Sequence, residues 1–224
     1  MKQTSRIVLI LTLLIPVISH AELMDFFKSG TSEALQHDFD IVRLKDVSTL
    51  SGYIEEYKKI TGKYPFEGEV EYPHYVHIAT KQQEQYAKGG PPYQHKRTSA
   101  KDFITELQLK LGKDIEIPFD LQKVPVNKPN FYIYMVVGNV YFLAVHIHHE
   151  QPFANKVADY YYKVEVTNNE NANRNGTWLR EKLLANEAYQ KAISVKPNKP
   201  AYTEELRNKL GGVTMPSNKL LHIK

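Results

Sequence analysis

His146-Ile147-His148-His149 is the passage whose residue types come nearest to a ligand set. On an extended strand, residues two apart share a face, so His146 and His148 would present two imidazoles at a spacing that suits one divalent metal. A zinc site needs at least one further ligand. His74, His77 or Glu150 could supply it if the segment 75–78 runs alongside. The metal candidates are thus His146, His148 and His77, set against the plainer reading of polar residues where a strand leaves its sheet. A second group is aromatic. Tyr160-Tyr161-Tyr162, with Tyr93 in the loop 88–93, could form a platform for a glycan, a peptide or a protein edge. Ordinary packing of alternate tyrosines in a sheet is the competing explanation.

Other reactive patterns are missing. The chain has no Gly-x-Ser-x-Gly, no His-Glu-x-x-His and no glycine-rich phosphate loop, and it contains no cysteine to act as a nucleophile. Glu55 and Glu56 are neighbours on a helix and do not face each other, so they read as a solvated face beside Lys58 and Lys59. Asp38 and Asp40 could hold calcium together with a loop carbonyl, but acidic residues at a helix entry explain them more simply. No catalytic residue is assigned on these grounds.

The elements that must position these groups begin with a helix. Val47, Leu50, Ile54 and Tyr57 alternate three and four apart, with Arg43 and Thr61 extending the line, which lays one apolar stripe along a helix from about Asp40. Gly62 suits the left-handed residue that ends a helix, and Pro65 forbids continuation. Residues 75–79 read as a short strand, and Gly89-Gly90-Pro91-Pro92 as a loop. A second helix follows Ser99, with Ala100, Phe103, Ile104, Leu107 and Leu111 on one face and Gly112 at its end. A brief edge strand is expected at 115–118. The strongest β signal is the pair 131–137 and 140–147, split only by Gly138-Asn139, which suits a tight turn of the primed type. Residues 160–166 supply the third strand. Residues 168–176 read as a polar linker, residues 178–194 as a helix, and 203–210 as a weaker one.

Composition bounds the setting. Residues 1–21 carry Lys2 and Arg6, then an apolar run from Ile7 to Ile18, then Ser19-His20-Ala21. That is the three-part pattern of a secretory signal peptide cleaved after Ala21, and the run falls short of the roughly 20 residues a membrane span needs. The 203 residues that remain hold 27 basic and 25 acidic residues, a net +2. This balance, with no dense Lys/Arg cluster, argues against a nucleic-acid partner. An exported chain without cysteine must be stabilised by its core alone. Tyrosine is heavily used, with 15 against one Trp, and it combines a ring that can be buried with a hydroxyl that needs a partner or water.

The order of helix, Thr61-Gly62-Lys63-Tyr64-Pro65, loops, Tyr-rich hairpin and third strand resembles pilins and type II secretion pseudopilins. Leu50, Tyr57, Gly62, Tyr64 and Pro65 carry the likeness, with Tyr132, Tyr134, Gly138 and Tyr141 downstream. The resemblance covers about residues 40–167. It implies an α+β fold in which a long N-terminal helix packs on a small antiparallel sheet, here with a helical C-terminal appendage. The N-terminal segment has signal-peptidase features rather than the prepilin Gly-Glu arrangement, which points to a pilin-like domain reused for binding rather than a filament subunit. The expected organisation is a signal peptide at 1–21, a leader at 22–39, the α+β domain at 40–167, and a polar linker with a helical tail at 168–224. The expected function is a periplasmic or secreted, non-catalytic binding or assembly module. Its expected partner is a protein, with secretion or pilus components as candidates, and it has no stable membrane span once cleaved. The alternative is a metal-dependent periplasmic enzyme or metal-binding protein built on His146 and His148.

Overall fold

The computed structural model describes residues 33–68, 72–79, 94–116, 118, 132–158, 161–172 and 176–196. The expected signal peptide, the loop containing Tyr93, Tyr160 and the helix expected at 203–210 lie outside the described residues. Among the described residues no helix is long and apolar enough to cross a membrane.

The apolar stripe does form a helix, α1 (Glu33–Thr61), but it starts at Glu33 rather than near Asp40. Leu44, Val47, Leu50, Ile54 and Tyr57 are all buried along one side. Gly62 ends the helix at φ 79°, with its N–H bonded to the Lys58 carbonyl at 2.9 Å, the left-handed cap that a residue without Cβ reaches cheaply. Helix α2 (Ala100–Leu111) is capped as its sequence requires. The Ser99 hydroxyl accepts from the Asp102 N–H at 3.0 Å, and Gly112 closes the helix at φ 63°.

Among the described residues, seven strands form a single mixed sheet: β1 (His74–Ile78), β2 (Lys96–Thr98), β3 (Tyr132–Val137), β4 (Val140–Ile147), β5 (Asn155–Ala158), β6 (Tyr161–Thr167) and β7 (Thr177–Leu179). The order runs β2-β1-β3-β4-β6-β5, with β7 also pairing β6. Most pairs are antiparallel, but β1/β2 and β6/β7 are parallel. The β3–β4 hairpin turns on Gly138 at φ 53°, with Val137 opposite Val140. A positive φ at the first turn position is the signature of the primed two-residue turn. Strand β6 is shared at its far edge: Tyr161–Lys163 pair β5, and Glu165–Thr167 pair β7.

The expected layout of a long helix on a small antiparallel sheet with a helical appendage is therefore corrected. The sheet is mixed, seven-stranded and dominates the ordered core. The C-terminal passage is no appendage, because it gives β7 to the sheet and then two short helices, α3 (Arg180–Leu184) and α4 (Glu187–Ser194). Leu183 and Tyr189 belong to the same buried cluster as the α1 stripe and the inner faces of β1, β3, β4 and β6. Residues 115 and 116 form no strand. A helix over 178–194 was the natural expectation from its spaced leucines. The parallel pairing of Trp178 with Val166 takes the first turn of it instead.

The use of tyrosine has a specific cause. Rings from the sheet cross the core and hand their hydroxyls to polar groups of α1 or of the turn beyond it. Tyr132 donates to Asp46 at 2.6 Å, Tyr141 to Glu55 at 2.8 Å, and Tyr134 to the Pro65 carbonyl at 2.8 Å. From α4, Tyr189 donates to the Leu44 carbonyl at 2.8 Å. Each ring buries a large apolar area while its one polar atom stays paired, which avoids the cost of an unsatisfied buried hydroxyl. Burial, and then the Glu55 charge, push the Tyr141 phenol far above its ordinary range, and the same pair of causes pushes Tyr64 up to about 12. These phenols therefore remain protonated donors. Tyr141→Phe deletes a hydrogen bond to a charged group and, among the described residues, leaves Glu55 the Tyr64 hydroxyl at 3.5 Å. It is expected to lower unfolding free energy by about 1.5–3 kcal/mol in denaturant titration. A variant as stable as the wild type would mean that Glu55 is satisfied by water instead.

Candidate functional site

His146 does not join His148 and His149. His146 stands on β4 opposite Lys163 of β6 and packs edge-on against Tyr161 at 5.0 Å. It faces away from α1, since its neighbours Val145 and Ile147 point into the helix-covered core. The strand stops at Ile147, so His148 is free of the alternation and turns back toward α1. His77 lies on β1 with its Nε2 3.1 Å from the Tyr75 hydroxyl. Strand β3 separates His77 from β4. Among the described residues no group of three or more His, Asp or Glu side chains is placed to hold a metal ion. The tyrosines are similarly divided. Tyr161 and Tyr162 are adjacent on β6 and so face opposite sides of the sheet. Tyr161 is buried, and Tyr162 reaches Glu150 at 3.5 Å.

What His148 and His149 do reach is Asp40, a residue the helix pattern left as an entry acid. One carboxylate oxygen accepts from the His148 N–H at 2.9 Å and lies 3.1 Å from the His148 Nδ1, which is also 3.2 Å from the Arg43 guanidinium. The other accepts from the His149 N–H at 2.9 Å and its Nδ1 at 2.7 Å. Arg43, itself buried, stands one turn on at 3.4 Å. A carboxylate can only accept, so the histidine at 2.7 Å carries its proton on Nδ1. Burial raises the Asp40 pKa. The hydrogen bonds from His148 and His149 and the Arg43 charge outweigh that and hold it well below the usual carboxylate range. Chemically this is an anchor. A permanently ionised carboxylate whose lone pairs are filled from the end of β4 is neither a poised base nor a vacant ligand.

Among the described residues, an arrangement with room for a ligand lies at the other end of α1. A cleft of about 260 Å³ is lined by Phe66, Glu67, Gly68, Tyr72, His74, Lys96, Val136 and Gly138. Its floor is a row across the sheet: Lys96 of β2 pairs His74 of β1, and His74 pairs Val136 of β3. Register partners present their side chains on the same face, at strand spacings of about 4.8 Å. A cation, an imidazole and an apolar side chain thus stand in line over about 10 Å.

Its wall is the turn 64–67. Pro65 occupies the second position, Phe66 the third, and the Glu67 N–H closes the turn on the Tyr64 carbonyl at 2.9 Å. Phe66 has φ 57°, the backbone a type II turn demands at that position and normally fills with glycine. An aromatic residue held there costs about 1–3 kcal/mol. Bonds from three elements hold it in place. His74 is 3.2 Å from the Phe66 carbonyl, Tyr134 donates to the Pro65 carbonyl, and Lys58 reaches Glu67 at 3.3 Å. Glu67 also accepts from the Tyr64 N–H at 2.7 Å. The Phe66 ring lies 5.2 Å from His74. Because the Phe66 carbonyl only accepts, the His74 proton sits on Nδ1, and Nε2 is the acceptor of the neutral ring.

Of these cleft residues the sequence singled out only His74 as a site residue, and that as a possible metal ligand. The Tyr64-Pro65 turn was visible, but the conformation of Phe66 and the register that aligns Lys96, His74 and Val136 are products of the fold. Comparison of the chain with family models, curated proteins and solved structures finds no match in any of the three.

Proposed function

We propose that this protein is an exported, non-catalytic binding module whose recognition site is the cleft beside the turn 64–67. The observation that carries the reading is the strained Phe66 backbone, braced from α1, β1 and β3 so that its ring walls a cleft that already exists without a ligand. Strain retained where glycine would relieve it, in a rigid concave site, is the economy of a preorganised binding surface. Export rests on the n-region, apolar run and cleavage pattern of residues 1–21. It is checked by N-terminal sequencing of the mature protein, which should begin at Glu22.

Binding is tested by filling the cleft. Gly68 has ordinary backbone geometry, and among the described residues a Cβ built on it meets only the Phe66 carbonyl at 3.8 Å. Gly68→Trp should therefore fold with a melting temperature within a few degrees of the wild type while occupying the ligand's space. A fragment screen by amide chemical shifts should perturb Phe66, Tyr72, His74, Lys96 and Val136 in the wild type and leave them unmoved in Gly68→Trp, with bound fragments recovered chemically unchanged. Perturbations that are identical in both proteins would sink the reading.

A further inference from the structure

We infer that the cleft takes the apolar C-terminal residue of an acylated amino acid or peptide, with its free carboxylate at Lys96, its amide N–H at His74 and its side chain against Val136, Phe66 and Tyr72. The inference rests on the reading of the cleft as a binding site and adds the chemistry of what enters it. Three groups on the ligand follow from three groups in the row. Lys96 is exposed and forms no ion pair among the described residues, whereas the other charged lining residue, Glu67, is already neutralised by Lys58. The cleft therefore offers one uncommitted positive charge, which selects an anion. His74 spends its Nδ1 proton on the Phe66 carbonyl. In a ring that carries that one proton, Nε2 can only accept, so the matching ligand atom carries a hydrogen. Val136 and the two aromatic rings require an apolar group beyond that.

The order along the floor fixes how these groups are connected. The positive, accepting and apolar positions succeed one another across adjacent strands, in the register Lys96–His74–Val136. The carboxylate, the N–H and the side chain of a terminal amino acid all spring from one carbon, so a single residue can meet the three positions at once. The volume, about 260 Å³, sits below the roughly 300–1,000 Å³ of drug-sized sites and suits one residue rather than an extended segment. Capture of a terminal carboxylate is a recurrent mode of peptide recognition. The bracing of Phe66 means that the wall need not be ordered on binding.

The full mature chain is titrated with N-acetyl-phenylalanine, its C-terminal amide, 3-phenylpropionate, phenethylamine and a tripeptide ending in phenylalanine with a free carboxylate. N-acetyl-phenylalanine should bind about threefold to fivefold more tightly than either the amide or 3-phenylpropionate, the range for a single exposed charge pair or hydrogen bond. It should also shift the amide resonances of His74, Lys96 and Val136. Lys96→Gln should erase the preference over the amide and keep the preference over 3-phenylpropionate. Phe66→Gly should weaken every probe while holding the melting temperature close to that of the wild type, because backbone relief offsets the lost ring contacts. Tighter binding of the tripeptide assigns the site to a polypeptide terminus, and equal binding assigns it to free acyl amino acids. Equal affinity for acid and amide, or preference for phenethylamine, overturns the ligand class and leaves the cleft a binding site. Silence of the cleft resonances toward every probe, charged or neutral, overturns both.

Discussion

Asp40→Ala is expected to lower the unfolding free energy by about 3–5 kcal/mol, the cost of breaking a buried ion pair by removing one member. The alanine strips acceptors from the His148 and His149 N–H groups and from the His149 Nδ1, and it puts an apolar methyl where Arg43, 1 % exposed, met a carboxylate. Asp40→Asn keeps one acceptor oxygen but aims an amide at groups that are themselves donors, so it should recover only part of the loss. The pH dependence follows from the sign of the shift. Asp40 ionises in the folded protein well below the roughly 3.9 of an unfolded aspartate. Its contribution is thus complete above about pH 4 and is lost as pH falls through the lower, folded value. Chemical denaturation followed from pH 7 downward should show the gap between wild type and Asp40→Asn constant to about pH 4 and narrowing below it. A gap that stays constant into strong acid would show that the Asp40 charge takes no part in the anchor.

The position of Asp40 shows where sequence reasoning reaches its limit. Its type and place invite a local account, an acid near a helix start, and the local account is wrong because its partners lie 108 and 109 residues away. His148 departs from the expected strand geometry for the converse reason. Alternation along β4 places it beside His146 only if the strand continues, and the pull of Asp40 on two successive N–H groups ends the strand at Ile147. Features with a local cause were legible. The stripe of α1 with Gly62 at its end, the Ser99 cap of α2 and the Gly138 hairpin each depend on residues within a few positions of one another.

The three short strands had no such signal. Lys96-Arg97-Thr98 carries no apolar alternation because β2 is an exposed edge, and it is a strand only through its parallel register with β1. β5 and β7 are likewise defined by β6. Those edge strands separate the observed mixed sheet from the small antiparallel one that the Gly62–Pro65 passage and the pilin likeness had implied. The cleft inherits the same opacity. Val136 falls within the strand expected at 131–137, His74 draws notice only as a possible metal ligand and Lys96 draws none, and only the pairing of β2 with β1 and β1 with β3 sets them in one row.

The junction of β5 and β7 supplies the second large effect. Gly176 precedes β7 at φ 70°, where a side chain is strained, and its carbonyl accepts the Glu165 N–H at 3.0 Å. A Cβ added there would come within 2.9 Å of the Ala154 carbonyl carbon and meet the backbone nitrogen of Asn155 more closely still. The obstacle is backbone at the mouth of β5, with no flexible side chain that could swing aside. Gly176→Val therefore combines a left-handed β-branched residue with a clash that only separation of the two strands relieves. It is expected to cost about 3 kcal/mol or more, in the range reserved for strained backbone positions and overpacked contacts. The damage should be local in hydrogen exchange. Amides of 155–158 and 177–179 lose protection, as does Glu165, while β1, β3 and α2 keep theirs. Gly176→Ala should show the same pattern at lower amplitude, because the clash at Cβ is common to both and the branched methyls are not. Uniform loss of protection across the sheet would instead mean that the β6 edge unfolds together with the core. Retained protection at 155–158 would show that the chain can part from Asn155 without giving up the strand.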